Sequence, residues 1–188
     1  MVVMGIDPSI NCTGICIYDT VTNANSYYII TSKSTKKLKE LSDTNSYITV
    51  REYYKSDPNE GDYKNKEYNK SKNLREICWQ IKNILKWYDP DLVQMEGISY
   101  GSCSSAALAD LAGLNFAIRM LLLDENKKFN IIAPTSVKKF AVGNGSAEKN
   151  VLIASWKKLD KNISEVDNVK LDDLADSFFI AHFNDGDH

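Results

Sequence analysis

The second half of the chain alternates helix-like and strand-like segments, and this alternation restricts the fold more than any other feature. Leu74, Ile77, Cys78, Ile81, Ile84, Leu85 and Tyr88 recur at intervals of three and four, which predicts an amphipathic helix over residues 72–88. Asp89-Pro90 ends it, because the residue before a proline is pushed out of the helical region. Leu92–Glu96 then reads as a strand. Residues 104–123 read as a helix that is apolar almost all the way round, and such a helix needs cover on more than one side. Phe129–Ile132 is a short strand, and Pro134 opens a helix at its first turn. Ser146 is placed to cap a helix that runs to about Leu159, and residues 171–183 form the last helix. Strands joined through helices lie parallel in one sheet.

The first half differs. Residues 2–6 form a continuous apolar run, the pattern of a buried central strand. Asp7-Pro8-Ser9 turns the chain, and residues 14–18 and 25–31 follow as two more strands. Short connections among these three imply an antiparallel meander. The sum is an α/β fold with a mixed sheet of five strands and helices on its faces. The 188 residues suit a single domain, with no internal repeat and no interdomain linker.

Residues 31–72 fit neither pattern. Within 31–73 there are ten basic residues against seven acidic, a local +3 in a chain whose formal charge is -2. The stretch holds Tyr47, Tyr53, Tyr54, Tyr63 and Tyr68 and the breakers Asp57-Pro58-Asn59 and Glu60-Gly61-Asp62. It reads as a long inserted loop whose lysines could neutralise phosphates and whose tyrosines could stack on bases. A solvated loop without a role is the equal alternative.

Composition narrows the class. With 43% hydrophobic and 26% charged residues, the chain is neither disordered throughout nor fibrous. No uninterrupted apolar run approaches the ~20 residues of a membrane span, and no basic segment precedes the first strand, so neither a membrane anchor nor a signal peptide is expected. Cys12, Cys16, Cys78 and Cys103 form no Cys-x-x-Cys pair and read as thiols of a cytoplasmic protein.

Four acids stand where acids are costly unless used. Asp7 ends the first strand and Glu96 the fourth. Asp173 and Asp176 are three apart, hence on one face of the last helix, beside Leu174, Phe179 and Ile180. Carboxylates at the ends of neighbouring strands converge, and a helix across that end can add two more. Four such groups repel one another unless a cation lies between them. An all-oxygen set suits Mg²⁺ or Mn²⁺, and two such ions can clamp the attacking and leaving oxygens of a phosphodiester. Taken singly, each acid reads more readily as a turn, cap or strand-end residue; the joint arrangement is what favours a metal site.

Four blocks carry a resemblance. They are Gly5-Ile-Asp7-Pro-Ser-Ile-Asn-Cys-Thr-Gly14, Met95-Glu96, Val142-Gly-Asn-Gly-Ser-Ala-Glu-Lys149 and Asp173-x-x-Asp176. In this order they resemble the RuvC family of Holliday-junction resolvases, within the ribonuclease-H-like superfamily. The resemblance implies a five-stranded ribonuclease-H-like sheet with helices on both faces. It implies that Asp7, Glu96, Asp173 and Asp176 bind two Mg²⁺ ions, with Mn²⁺ as a substitute. It makes Lys149 a catalytic lysine near the scissile phosphate, and gives Lys138, Lys149, Ser146 and Tyr100 contacts with DNA. Two departures stand out: Ser9 replaces a common glycine, and Tyr100 lies one position later than the family's aromatic residue. His182 and His188 match no catalytic position.

The resemblance also implies a homodimer formed through the helix at 104–123. That dimer would act on branched DNA in the cytoplasm of a bacterium or a phage-infected cell, cutting four-way junctions by paired nicks that leave 5′-phosphates. Two alternatives stay open: a relaxed nuclease cutting flaps and forks on the same fold, and a junction-binding protein without activity.

Overall fold

The structure, a computed structural model, describes residues 1–57, 61–98, 104–163 and 172–184. The early meander forms as expected: β1 (Val2–Asp7), β2 (Cys12–Asp19) and β3 (Ala24–Thr31) pair antiparallel in turn. Later come α2 (Tyr63–Tyr88), β5 (Leu92–Glu96), α3 (Ser105–Asp124), β6 (Phe129–Ile132), α4 (Pro134–Val142), α5 (Lys149–Leu159) and α6 (Asp172–His182). β5 lies parallel to β1 and β6 parallel to β5.

The sheet has six strands rather than five. Residues 31–72 are not one loop: they contain α1 (Lys36–Thr44), β4 (Ile48–Glu52) and the start of α2. β4 lies parallel to β3 at the edge, giving the order β4-β3-β2-β1-β5-β6. Two local devices build this segment. Thr35 caps α1 by accepting from the Leu38 N–H, and Leu38 and Leu41 turn into the core. Asp62 caps α2 by accepting from the Asn65 N–H. α2 therefore starts nine residues before the apolar repeat that reveals it.

Side chains alternate across the sheet with period two. Met4, Ile6, Ile15, Ile17, Tyr28, Ile30, Val93 and Met95 pack against α2 and α3. Cys16, Tyr27 and Ile29 pack on the other face with α1, α4, α5 and α6. Helices thus cover both faces. On the α6 side Asp160 is buried and accepts from the Tyr27 hydroxyl at 2.6 Å and the Asn25 amide at 3.0 Å, while the Trp156 indole donates to the Tyr27 oxygen at 3.0 Å. The described cysteines, Cys12, Cys16 and Cys78, are thiols, and Cys103 lies outside the described residues.

By length and composition α3 is apolar enough to cross a membrane, although Asp110, Asn115 and Arg119 interrupt its apolar run. Its inner face is committed to the core: Leu114, Ile118 and Leu122 are buried, and the Asn115 amide donates to the Glu96 carbonyl at 3.0 Å. Its outer face leaves Phe116, Met120 and Leu123 exposed.

Because β3 runs antiparallel to β2, and β2 antiparallel to β1, five of the six strands point the same way. Asp7, Thr31, Glu52, Glu96 and Ile132, the last residues of those strands, all lie at one end of the sheet.

Candidate active site

Asp7 and Glu96 reach that end side by side. Ile6 pairs with Met95 in parallel register, so the next residue on each strand stands level with its neighbour. By the same alternation both turn toward α6. That helix lies on β1 and β2 with almost no gap. A Cβ added to Gly5 would sit 2.3 Å from the Ser177 carbonyl oxygen and 2.5 Å from the Ala181 nitrogen. One added to Gly14 would sit 2.1 Å from the Asp173 carbonyl oxygen. Gly14 is also the register partner of Asp7. The two glycines therefore let the helix carrying Asp173 and Asp176 settle beside Asp7. At the far end of α6 the buried Gln94 amide donates to the Phe183 carbonyl at 3.1 Å, which fixes the helix along its length.

The four carboxylates act on one another. Asp7 is only 8% exposed. Burial holds it well above the usual carboxylate range, and the charges of Glu96, Asp176 and Asp173 push it further. Burial also raises Glu96, helped by Asp176 and opposed by the hydrogen bond from Asp7 and the charges of Lys138 and Lys149. Burial lifts Asp176 to about 6 against the pull of Lys149 and Lys138, with Asp173 and Asp172 adding to the rise. Among the described residues no three His, Cys, Asp or Glu side chains form a ready-made ion cage. The set nevertheless fits a divalent cation: all its donors are hard oxygens, and their mutual repulsion is what such a cation relieves.

Two lysines border the acids. Lys149 begins α5 and donates to Asp172 Oδ2 at 2.6 Å, a bond that raises the lysine further above its ordinary value. Burial works to lift Asp172, but its bond from Lys149 brings it below the ordinary carboxylate value. Lys138 on α4 is half-buried, and its charge reaches Glu96 and Asp176.

Ser146 does not cap α5. Gly143, at φ 74°, ends α4; the Ser146 N–H then donates to Asn144 Oδ1 at 3.0 Å, and Glu148 occupies the cap position. Ser146 is exposed in the loop that delivers Lys149. Tyr100 and His188 lie outside the described residues. His182 is structural: its Nδ1 lies 2.9 Å from the Phe178 carbonyl, and its ring packs 3.9 Å from Tyr18 and 4.0 Å from Phe178.

The structure thus brings together Asp7, Glu96, Asp173, Asp176, Lys138 and Lys149. It adds three residues to which the sequence alone assigned no role. Gly5 and Gly14 admit the helix, and Asp172 holds Lys149. A glycine inside an otherwise apolar strand is a usable signal of close backbone approach. Asp172 gave no separate signal, because an acid in the first helical turn is ordinary.

The family model for crossover junction endodeoxyribonuclease RuvC matches residues 61–182, well over half of the chain. The chain belongs to the RuvC family. Its fold is that of Thermus thermophilus RuvC, at 17% sequence identity and a TM-score of 0.58, covering 96% of this chain and 91% of that one. The same Thermus thermophilus protein in complex with a Holliday junction substrate matches at 16% identity and a TM-score of 0.59, covering 96% of this chain and 90% of that one. No curated protein sequence matches significantly. The family match begins at residue 61, so β1 to β4, α1 and Asp7 lie outside it. β4 is the strand that takes the count from five to six.

Proposed function

We propose that this protein is a metal-dependent, structure-selective endonuclease that resolves four-way DNA junctions. The observation that carries this reading is the convergence of Asp7, Glu96, Asp173 and Asp176 at one end of the sheet, in a chain of the RuvC family. These four acids would hold Mg²⁺ or Mn²⁺. When bound, such ions activate a water as nucleophile and neutralise charge on the phosphate.

The chain's own residues do the rest. Lys149, oriented by Asp172, presents a cation to the phosphate being cut. Lys138 adds a second positive charge on the α4 side, and Ser146 offers a hydroxyl and the loop backbone to the DNA. Burial of Asp7 and Glu96 keeps bulk water from screening the site. Cleavage on the 3′-oxygen side leaves 5′-phosphate ends.

Paired symmetric nicks require two sites, and the protein works as a homodimer. The exposed Phe116, Met120 and Leu123 on α3 are the apolar surface available for the second copy. The thiols of Cys12, Cys16 and Cys78 suit a reducing cytoplasm.

The test is cleavage of a synthetic four-way junction by the wild type and by Asp7→Asn and Asp176→Asn. Both variants keep shape and lose charge. We expect each to lose cutting in Mg²⁺ and to keep junction binding in Ca²⁺, which neutralises the acids without aligning the reacting oxygens. Cutting by either purified variant in Mg²⁺ refutes the assignment. Equal wild-type cutting of flaps, forks and junctions would make it a general branched-DNA nuclease.

A further inference from the structure

Helix α2 carries much of the chain's positive charge. It holds Lys64, Lys66, Lys70, Lys72, Arg75, Lys82 and Lys86 against Glu67 and Glu76, in a chain whose formal charge is -2. It is also much longer than the sheet beneath it. The Gln80 amide lies 3.5 Å from the carbonyl of Glu52, the last residue of β4, so Gln80 is level with the catalytic end. Ile77, Leu74 and Asn73 still pack on the protein, so the free part of the helix is residues 63–72, about 14 Å along its axis at 1.5 Å per residue. These first turns project past the end of the sheet where Asp7 and Glu96 converge, on the face opposite α6.

The overhang is held firmly. The Asn73 amide donates to the Ser56 carbonyl at 2.9 Å, and the Ser56 N–H donates to Asn73 Oδ1 at 2.8 Å. The Asn69 amide donates to the Asp57 carbonyl at 2.8 Å. Lys70 bridges Glu67 and Asp110 of α3, each at 3.2 Å, tying the two helices together. Lys70 is thus used internally. Lys64 and Lys66 make no ion pair with a described residue, and the Lys72 ammonium lies 5.1 Å from the Tyr68 ring centre. Tyr63 is 78% and Tyr68 65% exposed. No packing against the core explains these side chains.

From this we infer that the first turns of α2 are a rigid arm that grips the sugar-phosphate backbone of a double-stranded DNA arm, a few base pairs from the point of cleavage. This deepens the proposed function and rests on its DNA substrate. The partner follows from charge: Lys64, Lys72 and Arg75 share one helix face with Tyr68, and a basic face in a chain of formal charge -2 fits a polyanion, the class of molecule cut at the same end of the sheet. The acids of the site repel DNA, and the arm supplies attraction where that repulsion is weaker. Lys64, Lys72 and Arg75 contact phosphates. Tyr68 lies against the sugar edge. At 3.4 Å per base pair the arm of about 14 Å spans about four base pairs.

The experiment uses the full chain and three DNAs: a four-way junction with 15-base-pair arms, one with 4-base-pair arms closed by hairpins, and a linear duplex. Binding is read by fluorescence anisotropy in Ca²⁺ across a salt series, for the wild type and for the triple variant Lys64→Ala, Lys72→Ala, Arg75→Ala, whose three side chains share one helix face. On the long-armed junction the slope of log affinity against log salt should fall by about 2–3 in magnitude in the variant, near 0.9 for each phosphate no longer neutralised. On the short-armed junction the two proteins should bind alike. The variant should also bind the linear duplex more weakly than the wild type does, a readout that needs no junction selectivity. An unchanged salt slope on long arms overturns the inference, as does an equal weakening on long and short arms. If the slope and duplex affinity fall as expected but the wild type cuts no junction, the arm stands and the resolvase reading fails. A wild type that binds none of the three DNAs overturns both. The triple variant should melt with the wild type, because none of the three side chains enters the core. A further variant, Lys70→Ala, should lower melting before it alters the slope.

Discussion

Gly14→Ala is the sharpest perturbation the site allows, because it adds one carbon and removes nothing. The new Cβ would lie 2.1 Å from the Asp173 carbonyl oxygen and 2.6 Å from the carbonyl carbon. Ordinary contact needs roughly 3.5 Å, so something must move by about 1 Å or more. β2 cannot yield easily, since it is paired on both sides, with Gly14 opposite Asp7 on one and Ile29 on the other. The first turn of α6 must therefore lift, carrying Asp173 and Asp176 away from Asp7 and Glu96. A misplacement of about 1 Å can slow a reaction about 100-fold, near 2.7 kcal/mol of barrier. Overpacking of this kind also costs about 1–3 kcal/mol of stability, or roughly 2–12 °C in melting temperature for a chain of this size. The assay is single-turnover cleavage of a labelled four-way junction in Mg²⁺, with binding and thermal melting measured on the same preparations. Cleavage should fall about 100-fold while binding, which depends on lysines elsewhere, stays within about threefold. Gly5→Ala meets Ser177 and Ala181 further along α6, so it should lower stability at least as much. A Gly14→Ala protein that cuts at the wild-type rate and melts within a degree of the wild type would refute the claim that the glycine sets the position of the acids.

Other outcomes follow from the same geometry. Phe116→Glu or Met120→Glu, on the exposed face of α3, should leave a folded protein that elutes as a monomer and loses paired incision; light scattering showing an unchanged dimer would remove α3 as the interface. Tyr27→Phe removes both the donor to Asp160 and the acceptor for the Trp156 N–H, and should lower stability by about 1–3 kcal/mol in urea unfolding. Burial holds His182 below its ordinary value of 6.5, against the opposing pull of the Phe178 carbonyl and of Asp160, with Tyr18 and Phe178 packed on its faces. The unfolded chain then binds the proton more readily, so this group lowers stability as pH falls through about 6.5. The stability difference between wild type and His182→Gln should therefore shrink from pH 7.5 to pH 5.5, and a constant difference would exclude the effect.

The sequence was most legible where one physical demand decided the pattern. β5 and β6 match the expected bounds residue for residue; in β5 the buried Val93, Gln94 and Met95 show the covering of both faces that gives a parallel strand its compact run. The acids were legible because a carboxylate at the end of a buried strand has few uses. The arm of α2 was not. Residues 63–71 have no apolar repeat, since they face no core, and helix periodicity is a signal of burial rather than of helicity. What makes them helical is the Asp62 cap and continuity with a buried helix below, and once a helix is nucleated each added residue needs only propagation. β4 was hidden for a related reason: only Ile48 of its five residues is buried, so alternation is weak at a sheet edge. The polar, lysine-rich character that marked 31–72 as a loop therefore reflects the exposure of most of its side chains, while Leu38, Leu41, Ile48 and Tyr53 are buried and the segment is ordered. The distinction matters for function. Lysines on a floppy loop lose their freedom when they meet a phosphate, whereas lysines on a helix pinned through Asn69, Lys70 and Asn73 have most of their backbone already fixed, and the DNA contact need not offset that ordering.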